Sequence, residues 1–111
     1  MEKSKQIPSN IYSILDNPQN LVYLSVASIW EIMLKRAKGK IKTSASLEDV
    51  KSRGFIVLPI EASHVLGVEK LPKHHADPFD RLLIAQAQIE NLTLITADKK
   101  IARYKIDILK I

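Results

Sequence analysis

The chain has 111 residues, of which 46% are hydrophobic and 26% charged, so its length and composition predict one domain with a small core. It has no cysteine, no signal peptide and no apolar run of membrane-spanning length, which excludes a disulfide framework and a thiolate metal site and favours a cytoplasmic protein. The net charge of +5 favours a polyanionic partner such as nucleic acid.

The spacing of apolar residues predicts helices and strands that alternate along the chain. In chain order they are a helix at 8–16, a strand at 21–26, helices at 27–38 and 46–53, a strand at 55–60, helices at 61–69 and 77–89, a strand at 93–96, a short helix at 99–104 and a strand at 107–111. Gly39 and Gly54 are predicted to end the second and third helices. This order predicts an α/β fold with a parallel sheet covered on both faces. Without a linker or a repeat, residues 1–111 are expected to form a single domain.

Four acidic residues lie where parallel strands place functional groups, near the carboxyl edge of the sheet. Glu31 lies in the first turns of the helix after the first strand. Asp77 and Asp80 open the helix before the third strand, three residues apart and so on one face, and Asp98 follows that strand. Converging carboxylates repel one another unless a cation lies among them, and oxygen ligands suit Mg²⁺ or Mn²⁺. Such an ion can bind a phosphodiester and generate hydroxide from water.

Each of these carboxylates also has a structural explanation. Ser28 and Glu31 have the spacing of a capping box, and Glu31 can pair with Lys35 one turn later. Asp77 before Pro78 is a good N-cap, and a carboxylate at position 80 is favourable in a first helical turn. The chemical and structural explanations therefore both stay open for these residues.

The other polar candidates also have structural explanations that require no chemical function. Asp98 can cap the short helix or form an Asx-turn. His74 and His75 are adjacent in a connection, so they point apart and are interpreted as exposed loop histidines rather than metal ligands. A basic run surrounds the end of the second helix and is either a solvated face or a phosphate-binding surface: Lys35, Arg36, Lys38, Lys40 and Lys42.

Two blocks of this sequence resemble the PIN domain family, and within it the bacterial branch of VapC-type toxins. They are residues 25–35, SVASIWEIMLK, and residues 71–104, LPKHHADPFDRLLIAQAQIENLTLITADKKIARY, and the resemblance extends from about residue 11 to the C-terminus. It implies a PIN-like, Rossmann-like fold with three α/β/α layers. It also implies a metal-dependent ribonuclease with Mg²⁺ or Mn²⁺, the toxin of a toxin–antitoxin pair.

The resemblance implies functional roles for individual acidic residues of this chain. Glu31 matches the helix glutamate of the family, Asp80 its third acidic position and Asp98 its fourth. Asp77, one turn before Asp80, is a candidate helper or substitute ligand. RNA and an antitoxin protein are the expected partners, and we expect a homo-oligomer.

The beginning of the chain departs from the family pattern. PIN domains open with an apolar strand that ends in an aspartate, the first metal ligand, and nothing before Leu21 matches it. We therefore expect four strands, with the central first strand and first catalytic aspartate missing, and unpaired backbone groups on either side of the gap. The half-sheets can close up, another copy can donate a strand, or the true start lies upstream of Met1.

Two hypotheses for function follow. The first is an active ribonuclease toxin, and the second is a non-catalytic PIN-like remnant that binds protein or nucleic acid. A plain α/β scaffold with capped helices explains the composition but not the block that begins at Asp77.

Overall fold

The computed structural model describes residues 9–40, 47–73, 77–96 and 99–110. The helices are α1 (Ser9–Asp16), α2 (Val26–Ala37), α3 (Leu47–Ser52), α4 (Ala62–Glu69), α5 (Pro78–Glu90) and a 3₁₀ helix, η1 (Lys99–Arg103). The strands are β1 (Tyr23–Ser25), β2 (Ile56–Leu58), β3 (Leu94–Thr96) and β4 (Ile108–Lys110). The predicted elements and their order are confirmed, although each strand is shorter than predicted. No helix in the described ranges is long and apolar enough to cross a bilayer.

The strands pair in parallel, and the pairs lie in two compact units, Met1–Leu58 and Pro59–Ile111. In the first unit β1 pairs with β2, and Tyr23 lies opposite Ile56. In the second unit β3 pairs with β4, and Leu94 lies opposite Ile108. The parallel pairing confirms the predicted α/β class.

The sequence predicts that the first strand of the PIN domain family is missing from this chain. Residues 9–22 form α1 and a turn, and this described segment contains no strand. The missing strand, the single domain and the homo-oligomer stay predictions.

The start of α2 differs from the capping box predicted for Ser28 and Glu31. Ser25 is the N-cap: it keeps an extended backbone, and its Oγ accepts the N–H of Ala27 at 3.0 Å. The capping-box prediction is wrong because β1 ends at Ser25 and leads directly into the helix. Ser28 therefore lies inside α2 and is not at the N-cap position, where a hydroxyl would accept a free backbone N–H.

Ser25→Ala is expected to lower the free energy of unfolding by about 1 kcal/mol, because the buried hydroxyl no longer accepts the Ala27 N–H. Ser28→Ala is the matched control, and its change should stay within about 0.5 kcal/mol. Urea denaturation of both variants measures the difference. Equal losses in the two variants would contradict Ser25 as the cap.

The end of α2 has the predicted glycine. Gly39 has φ 71°, its N–H donates to the carbonyl of Arg36 at 3.0 Å, and the N–H of Lys40 donates to the carbonyl of Lys35 at 2.9 Å. These two bonds form a Schellman motif, which needs a left-handed residue at this position. Gly54 has φ 85° after α3, so both predicted helix ends are confirmed.

The second unit has its core around α5. This helix buries Leu82 and the four consecutive residues from Ile84 to Ala87, which cover more than one of its faces. Its middle is therefore enclosed, although Ile89 near its end is 45% exposed. The cluster around α5 consists of Leu71, Ile84, Ala85, Ile101 and Tyr104.

Candidate active site

The first candidate residue, Asp77, is the N-cap of α5. Its backbone is extended, and its Oδ1 accepts the N–H of Phe79 at 2.8 Å and the N–H of Asp80 at 3.3 Å. Pro78 occupies the first helical turn, where a missing N–H costs nothing. The predicted cap is confirmed, and it fixes where α5 begins.

Asp80 lies in the first turn of α5 and is half-buried. The helix N-terminus favours a negative charge at this position. The structure therefore brings Asp77 and Asp80 together at the start of one helix, as their spacing predicted.

The neighbouring residue, Arg81, holds this helix start against the rest of the second unit. Its Nη1 donates to the carbonyl of Pro72 at 3.0 Å and to the hydroxyl of Tyr104 at 3.4 Å. Its Nη2 donates to the carbonyl of Val68 at 3.1 Å and reaches that of Leu71 at 3.5 Å. This role was not predicted from the sequence, and the available signal was that Arg81 is the one basic residue of α5.

A buried polar group lies between α4 and α5. His64 and Gln86 are each 1% exposed. Nδ1 of His64 accepts the N–H of Glu61 at 2.9 Å and lies 3.4 Å from Nε2 of Gln86, which also donates to the carbonyl of Pro59 at 3.2 Å. Because Nδ1 is an acceptor, the ring proton is assigned to Nε2. That atom lies 3.8 Å from Oε1 of Glu90, too far for a hydrogen bond.

These contacts give His64 a structural role. Glu61 and His64 form a reciprocal capping box at the start of α4. Gly67 lets the same helix approach α5, because a Cβ at this position would lie 3.5 Å from that of Ala85 and 3.0 Å from Cδ1 of Ile89. Nothing in the sequence pattern singled out His64, since its partner Gln86 is 22 residues away.

Glu31 belongs to the first unit, within α2, and is half-buried. Its Oε2 lies 3.9 Å from Nζ of Lys35, and the two side chains are 29% and 51% exposed. The predicted pair one helical turn apart is present. A pair one helical turn apart on a helix surface contributes only about 0.3–0.5 kcal/mol, so it does not by itself explain a glutamate here.

The basic run continues past the end of α2, where Lys38 and Lys40 are exposed. Lys42, His74, His75 and the predicted ligand Asp98 lie outside the described residues. Across the described ranges, no three His, Cys, Asp or Glu side chains lie close enough to share one metal ion.

The chemistry of the donors fits a hard divalent cation. Glu31 and Asp80 offer carboxylate oxygens, and the chain has no thiolate that would favour a softer metal. Oδ1 of Asp77 is already an acceptor for two backbone N–H groups. Asp77 thus has a capping role that is independent of any metal ion.

Parallel strands and intervening helices define the class as an α/β protein. The family model of the PIN domain matches residues 5–107, a range that spans both units, and the chain belongs to this family. PIN is a nuclease-type family whose members act on nucleic acids and generally use divalent metal ions. No curated protein shows significant similarity to the chain.

Proposed function

We propose that the chain is a PIN-type metal-dependent ribonuclease of the VapC-like branch, and that it is the toxin of a toxin–antitoxin pair. Glu31, Asp80 and Asp98 hold Mg²⁺ or Mn²⁺, and Asp77 assists them. RNA is the substrate, an antitoxin protein is the partner, and the protein acts in the cytoplasm as a homo-oligomer. The observation that carries the proposal is the position of Asp80, half-buried in a first helical turn that Asp77 caps.

The residues of this chain have distinct tasks in the proposal. Asp77 caps the first turn of α5 by accepting two backbone N–H groups, one of which is that of Asp80 itself. A bound divalent ion would supply a Lewis acid for a phosphate oxygen and activate a water molecule. Lys38 and Lys40, exposed after α2, are suited to bind the sugar–phosphate backbone of RNA.

Thermal unfolding with and without Mn²⁺ tests the metal site. A ligand that binds only the folded chain stabilises it by about 2.7 kcal/mol at 100 times its Kd, so the midpoint should rise by several degrees. Asp80→Asn should remove most of this rise. Asp49→Asn is the matched control because Asp49 also lies in a first helical turn, that of α3, and it should leave the rise intact.

The competing hypothesis, a non-catalytic PIN-like module, makes the opposite prediction. In that case millimolar Mn²⁺ leaves the midpoint of the wild-type chain unchanged at constant ionic strength. That result would contradict the proposed metal site.

A further inference from the structure

We propose that Arg81 is a positioning residue for the acidic site, and that it acts together with the hydroxyl of Tyr104. The proposal rests on the proposed function, because the residue that it positions is Asp80. Arg81 directly follows Asp80, and its backbone N–H donates to the carbonyl of Asp77 at 3.0 Å, which closes the first turn of α5. Its side chain therefore anchors the same turn that holds the candidate ligand.

Three acceptors of the Arg81 side chain are uncharged backbone carbonyls on another segment of the chain. Val68 lies in the last turn of α4, and Leu71 and Pro72 follow that helix. A cation is favourable at a helix C-terminus, where carbonyl groups lack partners within the helix. The planar guanidinium spans the carbonyls of all three residues at 3.0–3.5 Å. A lysine ammonium is a compact charge on a flexible stem and cannot reproduce this fork.

Tyr104 extends the anchor to the end of η1. Its ring belongs to the core at 4% exposure, and its hydroxyl donates to the carbonyl of Pro72 at 2.9 Å while lying 3.4 Å from Nη1 of Arg81. Asp98 comes immediately before η1 in the sequence. Arg81 and Tyr104 thus connect the first turn of α5, which carries Asp80, with η1, the element that follows Asp98 in the sequence.

Two conservative variants test this connection. Tyr104→Phe removes one hydroxyl from a ring that stays in the core. Arg81→Lys keeps the charge but removes the planar set of guanidinium N–H donors. The matched controls are Tyr23→Phe in β1 and Arg103→Lys in η1, both at exposed positions. The rate of amide hydrogen exchange at Phe79 and Asp80 measures how stable the first turn of α5 is. A titration with Mn²⁺, in which electron paramagnetic resonance detects the free ion, measures the Kd for Mn²⁺.

In both test variants, exchange at the two amides should become about fivefold faster, the factor expected for the loss of one ordinary hydrogen bond. The Kd for Mn²⁺ should rise about tenfold, the lower end of the effect of groups that orient metal ligands. The control variants should match the wild-type chain in both measurements.

Each other outcome contradicts a specific part of the proposal. Unchanged exchange would show that Arg81 does not hold the turn. Faster exchange with unchanged affinity would make the anchor merely structural, which also overturns the proposal. If the wild-type chain and the controls bind no Mn²⁺, the proposed metal site itself is wrong, and the positioning role falls with it. If Arg81→Lys does not fold, Tyr104→Phe alone decides between these outcomes.

Discussion

Replacement of Asp80 by asparagine is expected to slow Mn²⁺-dependent RNA cleavage by about 100-fold, equivalent to about 2.7 kcal/mol of transition-state stabilisation. The amide keeps the shape of the side chain but loses the charge that a hard cation requires. Initial rates on single-stranded RNA at saturating Mn²⁺ measure the effect. The fold should survive, because one carboxylate in a first helical turn contributes about 0.3–1 kcal/mol.

The control for this prediction is again Asp49→Asn. Asp49 lies in the first turn of α3, so its substitution has the same effect on charge and a similar effect on the helix. Cleavage by this variant should stay within about twofold of the wild-type rate, because Asp49 is exposed and is not one of the proposed ligands. If Asp80→Asn and Asp49→Asn cleave RNA at the same rate, Asp80 is not a ligand of the catalytic ion.

The second large effect is on stability, and it concerns His64. His64→Ala is expected to lower the free energy of unfolding by about 3 kcal/mol. The substitution leaves a cavity where a ring is 1% exposed, and it removes the acceptor for the Glu61 N–H in the capping box of α4. Urea denaturation measures the loss as a lower midpoint with little change in slope.

His64→Asn separates the two contributions. The amide oxygen of asparagine can take the place of Nδ1 and accept the Glu61 N–H, so this variant loses volume but keeps the cap. Its loss should be smaller than that of His64→Ala by about 1 kcal/mol, the usual contribution of an N-cap. Surface substitutions change the free energy of unfolding by less than about 0.5 kcal/mol. A loss in that range for His64→Ala would mean that the buried histidine does not stabilise α4.

Much of the fold followed from local patterns. Apolar periodicity identified the helices and strands, and Gly39 and Asp77 marked helix ends because their conformations are set by neighbouring residues. The cap of α2 was misplaced because both Ser25 and Ser28 are good N-cap residues. The choice between them depends on where β1 stops pairing with β2, and Ser25 is the last residue in that register, opposite Leu58.

The supporting contacts of the site depend on partners that are distant along the chain. Arg81 reaches residues up to 23 positions away, and His64 meets Gln86 across 22 positions. No spacing rule for a single helix identifies such partners, because they depend on how α4, α5 and η1 pack together. Asp77 and Asp80, by contrast, are three positions apart and could be placed together from the sequence.

A cleavage assay tests most directly the proposed cleavage of RNA by this PIN-family chain with a divalent metal ion. The purified wild-type chain is incubated with end-labelled single-stranded RNA in Mn²⁺, in Mg²⁺ and in excess EDTA. We expect discrete internal cleavage with either metal ion, none in EDTA, and recovery when Mn²⁺ is restored. Intact RNA at every protein concentration with both metal ions would contradict the proposed ribonuclease activity. Cleavage that EDTA leaves unchanged would contradict its dependence on a metal ion.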